Sequence, residues 1–504
     1  MYFLLPLIYT ALFIWIIYKW SFFDIPLMPR LNLTGFFFIK LLAGFSIWAI
    51  YTYYYKTSDA FEYFKRSEII YNTLYTHPID YIKLLIGIDT DRLQTYYSKI
   101  PGWDASFDTL VFNDSRTMIR LNAFLRLFSF GNFHVHTVIM CFISFIGLTA
   151  LYKTFIAFFK EKQMWLIFAI YFIPTVLYWS SGVLKESVLI TGLGFLLYST
   201  NCGLASPLKR GLFLLFILSL FILLSIKMYV LFFLFPALLS NHLYNRSQKT
   251  KLNYSYLLTY SVIIVCAIIM AFINPDYNIL KIISDKQAKA LSEAKGGIFL
   301  ANNNHFICID YDRNDLLDPI NSRTYKIKKG STYLQWSLEN MQDTSFVNSS
   351  TDTSSFNLLY AIQPANSNLS FNKTSPTAFA FIKNIPFAIY HALFRSCFLT
   401  PNSVFELIAI IESQLILLFI LLAFFFYKKP SESQLPIVWF CLVVSLSLLL
   451  LIGFTVPVLG AMIRYKLPAL QFLVIALFLL IDFNKIKAKL SGSKPIFNVS
   501  ADLK

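Results

Sequence analysis

Two carboxylates, Asp59 and Glu62, begin a polar segment that interrupts an otherwise apolar sequence. Because they are three residues apart, they share one face of a helix. A pair of this kind acts as a general base or holds a divalent cation. A solvated first turn, with its charge balanced by Lys65 and Arg66, accounts for the same residues without a function. The spacing leaves both interpretations open, and a divalent cation is the candidate cofactor.

Two arginines later in this polar segment are candidates for binding an anion. Arg116 and Arg120, in NDSRTMIRLNAFLRLF, are four residues apart and lie on one side of an amphipathic helix. Asp114 or Ser115 caps the start of that helix. A guanidinium matches the geometry of phosphate oxygens, so phosphate binding is predicted. Contact with lipid headgroups is the alternative.

Two short polar breaks between apolar runs add further cations. PTVLYWSSGVLKES contains Lys185, and VPVLGAMIRYKLPAL places Arg464 and Tyr465 between Gly460 and Pro468. Ionisable groups at a membrane boundary are costly without a purpose, which favours a role in substrate binding. The alternative is that these side chains snorkel from helix ends to the interface.

Glu412, in LIAIIESQLILL, is the clearest ionisable residue inside an apolar run. It either lines a cavity for substrate or pairs with another helix as a structural contact, and the sequence leaves both open. No phosphate-binding GxxxxGK[ST] loop, HExxH or GxSxG motif is present, so nucleotide hydrolysis and metalloprotease chemistry lack support.

The composition indicates an integral membrane protein. Of 504 residues, 57% are hydrophobic and only 14% are charged, which is too apolar for a soluble domain of this length. The net charge of +16 would favour nucleic acid binding in a soluble chain, but a membrane protein needs basic flanks for its orientation. We therefore predict an all-α polytopic membrane protein that binds membrane lipids and no nucleic acid.

About eleven transmembrane helices are expected, since roughly 20 apolar residues cross the hydrocarbon core. They fall into an N-terminal bundle, 1–272, with a candidate catalytic loop at 56–137, and a C-terminal group with a short basic cytoplasmic tail, 405–504. Residues 273–404 form a second large loop or small mixed domain with a Ser/Thr/Asn-rich segment. The expected spans are 2–19, 34–55, 138–159, 164–180, 183–200, 211–226, 229–241, 254–272, 405–427, 435–456 and 467–482. One long helix around Lys227 is the alternative to the pair 211–226 and 229–241.

Six clusters of Lys and Arg fall in alternate connections, which predicts that they lie in the cytoplasm. The N-terminus is then outside and the C-terminus inside. Both large loops share the external face with the short turns at 180–187 and 457–466. We therefore expect Asp59, Arg116, Lys185 and Arg464 to converge in one cavity at the outer membrane boundary.

The outline of the chain resembles the GT-C superfamily of polytopic membrane glycosyltransferases. The similarity rests on Asp59 in SDAFEY, with Trp103 and Asp104 as a weaker second match. The string containing Arg464 and Tyr465 is similar to the end of lipid-linked sugar transferases and O-antigen or capsule polymerases. The resemblance implies a polyprenyl-phosphate-linked sugar, a glycan acceptor and a bacterial inner membrane. One departure is that Asp59 follows the second predicted span, whereas the family acid follows the first.

The predicted function is therefore a membrane glycosyltransferase or polysaccharide polymerase of the cell envelope. Asp59 and Glu62 are the candidate catalytic residues, and a transporter or flippase of a lipid-linked or anionic substrate is the alternative. A noncatalytic assembly protein, binding a partner through the Ser/Thr/Asn-rich loop, is the third possibility. The candidate substrate and phosphate ligands are Arg116, Arg120, Lys185, Arg464, Tyr465, Glu412 and Asp104.

Overall fold

The computed structural model describes a mostly helical chain. The described residues are 4–26, 28–55, 58–88, 90–100, 114–205, 210–246, 251–301 and 404–490, together with 305–309, 315–321, 324–328, 332–337, 345–348, 355–363, 365, 367, 369 and 373–398. Trp103 and Asp104 lie outside them.

One group of helices precedes the segment in which strands occur. They are α1 Leu4–Lys19, α2 Arg30–Ile50, α3 Asp59–Thr76, α4 Pro78–Ile86, α5 Asp91–Tyr97, α6 Asp114–Ser129, α7 Phe133–Phe155, α8 Gln163–Ile167, α9 Pro174–Trp179, α10 Lys185–Ala205, α11 Arg210–Arg246, α12 Leu252–Ile273 and α13 Ile279–Lys295. A π-helical turn, Tyr51–Tyr55, extends α2.

A second group of helices follows the strands. They are α14 Ala378–Ile389, α15 Val404–Phe425, α16 Leu435–Thr455, α17 Leu459–Tyr465, α18 Leu467–Leu480 and α19 Phe483–Leu490.

Among the described residues, six helices are long and apolar enough to cross a membrane, or seven if the bent pair α17 and α18 forms one span. The expected number of about eleven is therefore not confirmed. Two of the expected spans are shorter apolar helices in the structure, Leu4–Lys19 and Gln163–Phe172. The six long helices are Arg30–Tyr55, Phe133–Phe158, Arg210–Arg246, Leu252–Ile273, Glu406–Phe425 and Leu435–Thr455.

The longest helix, α11, bends at Lys227, whose backbone angles are non-helical at φ −148° and ψ 71°. Before the bend, Ile222 packs closely against Gly192 of α10. After it, the Asn241 amide donates a hydrogen bond to the Pro436 carbonyl, at the start of α16, at 3.3 Å. Lys227 therefore lies at the bend between a half that packs against α10 and a half that reaches α16.

Close backbone contacts hold the centre of the bundle together. Helix α7 is buried along nearly its whole length and packs against α10. A Cβ at Gly194 of α10 would lie 2.1 Å from the Gly147 carbonyl oxygen of α7, so only glycine fits at this crossing. This packing fixes α10, whose first turn carries Lys185.

The described residues between 297 and 362 form a seven-stranded antiparallel sheet, which adds a β component to the all-α fold class that the sequence predicts. Its order is β3-β4-β7-β1-β2-β5-β6, around a small core that includes Leu300, Ile307 and Phe356. The strands are β1 Gly297–Ala301, β2 His305–Ile309, β3 Leu317–Pro319, β4 Thr324–Ile327, β5 Thr332–Ser337, β6 Ser345–Asn348 and β7 Ser355–Ile362.

The chain that follows the sheet binds the connection between α16 and α17. The Leu369 amide donates to the Pro457 carbonyl at 2.6 Å, and the Leu459 amide donates to the Ser367 carbonyl at 3.1 Å. The sheet region is thus tied to the short segment that leads into Arg464.

Candidate functional site

Arg464 lies between two carboxylates that come from distant parts of the chain. Its Nη1 is 2.9 Å from Asp59 Oδ2, and its Nη2 is 3.3 Å from Glu186 Oε2. Asp59 begins α3, which Ser58 caps through its side chain, and Glu186 lies in the first turn of α10. The guanidinium carbon is 5.3 Å from the centre of the Trp179 ring. We call Asp59, Glu186 and Arg464 the arginine cluster.

Two buried polar atoms of the arginine cluster have no hydrogen-bond partner within the part of the chain that the structure describes. They are Glu186 Oε1, an acceptor, and Arg464 Nε, a donor. The Glu186 residue is 1% exposed, so Oε1 is also shielded from water. An unmet buried group of this kind costs about 1–3 kcal/mol, and more when charged. A ligand that offers both a hydroxyl and an anionic oxygen would satisfy both atoms.

A second group of charges lies beside the first, and we call it the lysine cluster: Asp114, Lys185 and Lys227. Lys185 Nζ is 2.8 Å from Asp114 Oδ2, and Lys227 Nζ is 3.8 Å from the same oxygen. Lys185 also donates to Ser115 Oγ at 3.1 Å. Lys227 Nζ lies 4.1 Å from the centre of the Tyr465 ring, a cation–π contact.

Two pairs of sequence neighbours join the clusters. Lys185 precedes Glu186 at the start of α10, so that helix end supplies both clusters. Arg464 precedes Tyr465 at the end of α17, and Tyr465 contacts Lys227 of the lysine cluster. Counting formal charges, the arginine cluster has two acids and one base, and the lysine cluster has one acid and two bases. The site therefore has an acidic half and a basic half.

The pKa of each of the two aspartates in the site lies below its ordinary value. Burial alone would raise the pKa of Asp59, but the Arg464 guanidinium, aided by Lys185 and Lys227, holds it below its usual value. Burial likewise opposes charge on Asp114, yet Lys185 and Lys227 lower its pKa. Both carboxylates are thus anions at neutral pH.

A cavity of about 360 Å³ adjoins the arginine cluster. Trp179 lines this cavity and also contacts the Arg464 guanidinium, so the cavity and the cluster share a wall. Most of its lining is apolar or aromatic and comes from α2 with its π-helical turn, α9, α15 and α17. Lining residues include Tyr51, Tyr55, Leu177, Ile408, Ala409 and Ile463.

Three residues singled out from the sequence lie in these clusters, namely Asp59, Lys185 and Arg464, and a fourth, Tyr465, contacts Lys227. Arg116 is buried on α6, two residues after Asp114.

Three other candidates are held elsewhere. Glu62 is half exposed and pairs with Arg66 one turn along α3, at 2.9 Å. Arg120 Nε donates to the Leu84 carbonyl at 3.1 Å. Both oxygens of Glu412 accept hydrogen bonds from Thr175.

Close packing explains why Arg120 is fixed away from the clusters. Gly87 has a φ of 87°, and a Cβ there would lie 2.8 Å from Arg120 Nη1. Gly87 therefore permits both the left-handed turn after α4 and the approach of the guanidinium. Arg120 is part of the contact between α4 and α6.

Glu186 and Lys227 were missed as site residues by reasoning from the sequence. Glu186 follows Lys185 directly, and a second charge at the same polar break was the available signal. Lys227 lies between two long apolar runs, where an ionisable residue is itself a functional signal. Its position in the sequence indicates only the boundary between two spans or the middle of one long helix.

No group of three or more His, Cys, Asp or Glu side chains is placed to hold a metal ion among the residues that the structure describes. Asp59 and Glu186 converge, but on Arg464. Use of a divalent cation stays a prediction.

The long apolar helices are consistent with a multi-pass membrane protein, and the paired charge clusters define its candidate site. Comparisons with known proteins add no relative: no family model matches the chain, and no curated protein or solved structure matches it either.

Proposed function

We propose that this protein is a membrane glycosyltransferase or polysaccharide polymerase that uses a polyprenyl-phosphate-linked sugar. One observation carries the proposal: an arginine between two carboxylates, with an unmet donor and an unmet acceptor, adjoins an apolar aromatic cavity. Such a substrate combines the three matching parts, namely sugar hydroxyls, phosphate and a long hydrocarbon chain.

The apolar cavity supports the lipid part of the substrate. A largely hydrophobic pocket with a few placed polar groups is typical of small-molecule binding sites. Here the polar groups lie at one wall, where Trp179 meets Arg464. The first isoprene units would occupy the cavity, and the phosphate end of the substrate would lie beyond that wall, among the cations of the two clusters.

The charges support transfer of a sugar from phosphate. A hydroxyl oxygen of the acceptor forms a bond to the anomeric carbon of the donor sugar. The bond between that carbon and the phosphate oxygen breaks, and its electron pair leaves with the phosphate. The hydroxyl proton passes to a carboxylate, and the cations stabilise the added negative charge on the leaving phosphate.

Between the two carboxylates, we assign proton acceptance to Glu186, because its Oε1 is buried and unbonded among the described residues. The pKa of Asp59 is held below its ordinary value by Arg464, which does not favour that carboxylate as a base. We assign Asp59 to positioning Arg464. This changes the role predicted for Asp59 from its sequence, and Glu62 has no part in the proposed reaction.

The proposed setting is the external face of a bacterial inner membrane, with the N-terminus outside and the C-terminus in the cytoplasm. It rests on the alternation of basic connections along the sequence. It also agrees with the resemblance of the chain to GT-C transferases and O-antigen polymerases. Lipid-linked sugars and growing glycans meet at that face.

Purified full-length protein in detergent, given a short-chain prenyl-diphosphate sugar and a glycan acceptor, tests the proposal. The wild type should form a longer glycan, detected by mass spectrometry. Arg464→Gln should lower the rate roughly 10²- to 10³-fold, because it removes a cation from both the carboxylates and the leaving phosphate. Glu68→Gln is the matched control, since Glu68 lies on α3 and also pairs with an arginine, Arg126.

The same assay separates enzyme from carrier, because detergent provides no second compartment. A carrier would bind the prenyl-linked sugar and leave it chemically unchanged. Binding without any new glycosidic bond, across several acceptors, would reject the transferase and favour transport.

A further inference from the structure

The lysine cluster places two ammonium groups on a single carboxylate oxygen. Asp114 Oδ2 lies 2.8 Å from Lys185 Nζ, which is hydrogen-bonding distance, but 3.8 Å from Lys227 Nζ, which is not. One carboxylate therefore leaves the pair with excess positive charge and with Lys227 incompletely bonded to it. We infer that Asp114 occupies an anion-binding position, and that a phosphate group displaces it to bind Lys185 and Lys227 together.

A phosphate fits this position better than the carboxylate does. It has more acceptor oxygens, arranged around a tetrahedral centre, so separate oxygens can bond the two ammonium groups. Both lysines are largely buried, with 12% and 9% of their side chains exposed. An anion that neutralises them in this low-dielectric setting gains more than it would at the surface.

Lys227 lies at the bend of α11, near a contact between α11 and α6. The Ser225 carbonyl, two residues before the bend, accepts a hydrogen bond from Thr117 Oγ1 at 3.4 Å. Thr117 lies on α6, less than one turn after Asp114. The contact between α6 and α11 therefore does not depend on the Asp114 carboxylate alone.

Asp114 is placed to leave without unfolding its surroundings. It is the first residue of α6, and its side chain is 29% exposed, whereas the two lysines are buried. A change of its side-chain rotamer moves the carboxylate toward solvent. Displacement then exchanges one anion for another on a fixed pair of cations.

This inference rests on the proposed function for the source of the phosphate, but binding tests it without any transfer reaction. Purified full-length protein in detergent is titrated with a short-chain prenyl monophosphate and, separately, with inorganic phosphate. Lys227→Gln should weaken binding roughly tenfold or more, since it removes a charged hydrogen-bond donor. Lys227→Arg should restore most of the affinity.

Asp114→Asn gives the decisive result, because it removes the competing anion and keeps the size of the side chain. If phosphate displaces the Asp114 carboxylate, this variant should bind the phosphate probe more tightly, on the order of three- to tenfold. Weaker binding by Asp114→Asn would overturn the inference, because it would mean that Asp114 only holds the lysines in position. If Lys227→Gln fails to fold, Asp114→Asn still decides the question.

Lys153→Gln is the control for the loss of a partly buried lysine. Lys153 donates to the Phe22 carbonyl at 2.9 Å, away from both clusters, so its loss should leave phosphate affinity unchanged. Tight binding of prenyl phosphate alone assigns a lipid-linked ligand, and equal binding of inorganic phosphate assigns a free one. If the exchange is observed and no sugar is transferred, the inference stands while the proposed function fails.

Discussion

Two buried glutamates in the helical bundle differ in how their oxygens are satisfied. Glu412 accepts two hydrogen bonds from Thr175, at 2.6 Å from the amide and 2.7 Å from the hydroxyl. Glu186 binds Arg464 through Oε2, and its Oε1 has no partner among the described residues. The two residues are 2% and 1% exposed, so burial alone does not distinguish them.

The difference separates a structural contact from a candidate ligand site. Helix α9 has no side-chain cap of its own, and Glu412 reaches from α15 to bond the amide of Thr175 in its first turn. Helix α9 carries Trp179, which contacts Arg464. Glu412 therefore holds the wall of the site, whereas Glu186 keeps an acceptor oxygen for a substrate. The sequence left both roles open for Glu412, and these hydrogen bonds favour the structural one.

Glu186→Gln should produce the largest effect. The amide keeps the size of the side chain but cannot take a proton, so we expect sugar transfer to fall roughly 10²- to 10³-fold. The thermal unfolding midpoint should also fall, because the amide no longer pairs with Arg464 as a charge, so the rate is compared per folded molecule. Initial rates with a prenyl-diphosphate sugar, measured beside the unfolding midpoint, check both expectations.

Glu161→Gln serves as the comparison for Glu186→Gln, since Glu161 is exposed in the turn before α8. A Glu186→Gln protein that unfolds far below the wild type but retains its rate per folded molecule would reverse the distinction between the two glutamates.

Glu412→Ala should act on stability and less on chemistry. The change leaves the amide and hydroxyl of Thr175 unbonded in the bundle, which we expect to cost about 2–4 kcal/mol of unfolding free energy. Unfolding in detergent, followed by tryptophan fluorescence, measures this loss. Glu412→Gln should be intermediate, because its NH2 group replaces one of the two oxygens that accept from Thr175. An unchanged midpoint for Glu412→Ala would show that the Thr175 contact stabilises nothing.

The sequence predicts which residues belong to the site better than it predicts which of them contact each other. Asp59, Lys185 and Arg464 each stand at a polar break beside an apolar run, and the cost of charge in a membrane makes such positions recognisable. Which acid meets which base depends on helix packing, as at the Gly147 and Gly194 crossing, and local spacing does not contain that information. Glu62 illustrates this, because its spacing from Asp59 is right but its partner is Arg66.

The fold was predictable to a similar extent. Apolar runs identify helices, but the expected eleven spans depend on where one run is divided into two, and α11 bends at a single residue without a turn sequence. The sheet of 297–362 is held by pairing between distant strands, such as β1 with β7, which a linear pattern does not reveal.

Asp59→Asn should have the smallest effect on stability. This substitution tests how the Asp59 carboxylate differs from the Glu186 carboxylate. Asp59 is 52% exposed on its side chain, so its pair with Arg464 should contribute under about 1 kcal/mol to stability. The folded-state pKa of Asp59 is lowered, because the effect of Arg464 outweighs that of burial. The stability contributed by the pair is therefore present above the unfolded pKa of about 3.9. It is lost as the pH falls through the lower folded-state pKa. The gap in unfolding midpoint between the wild type and Asp59→Asn should therefore stay constant from neutral pH down to about pH 4 and close only below it. A gap that already closes between neutral pH and about pH 5 would mean that burial dominates at Asp59, and Asp59 would then join Glu186 as a candidate base.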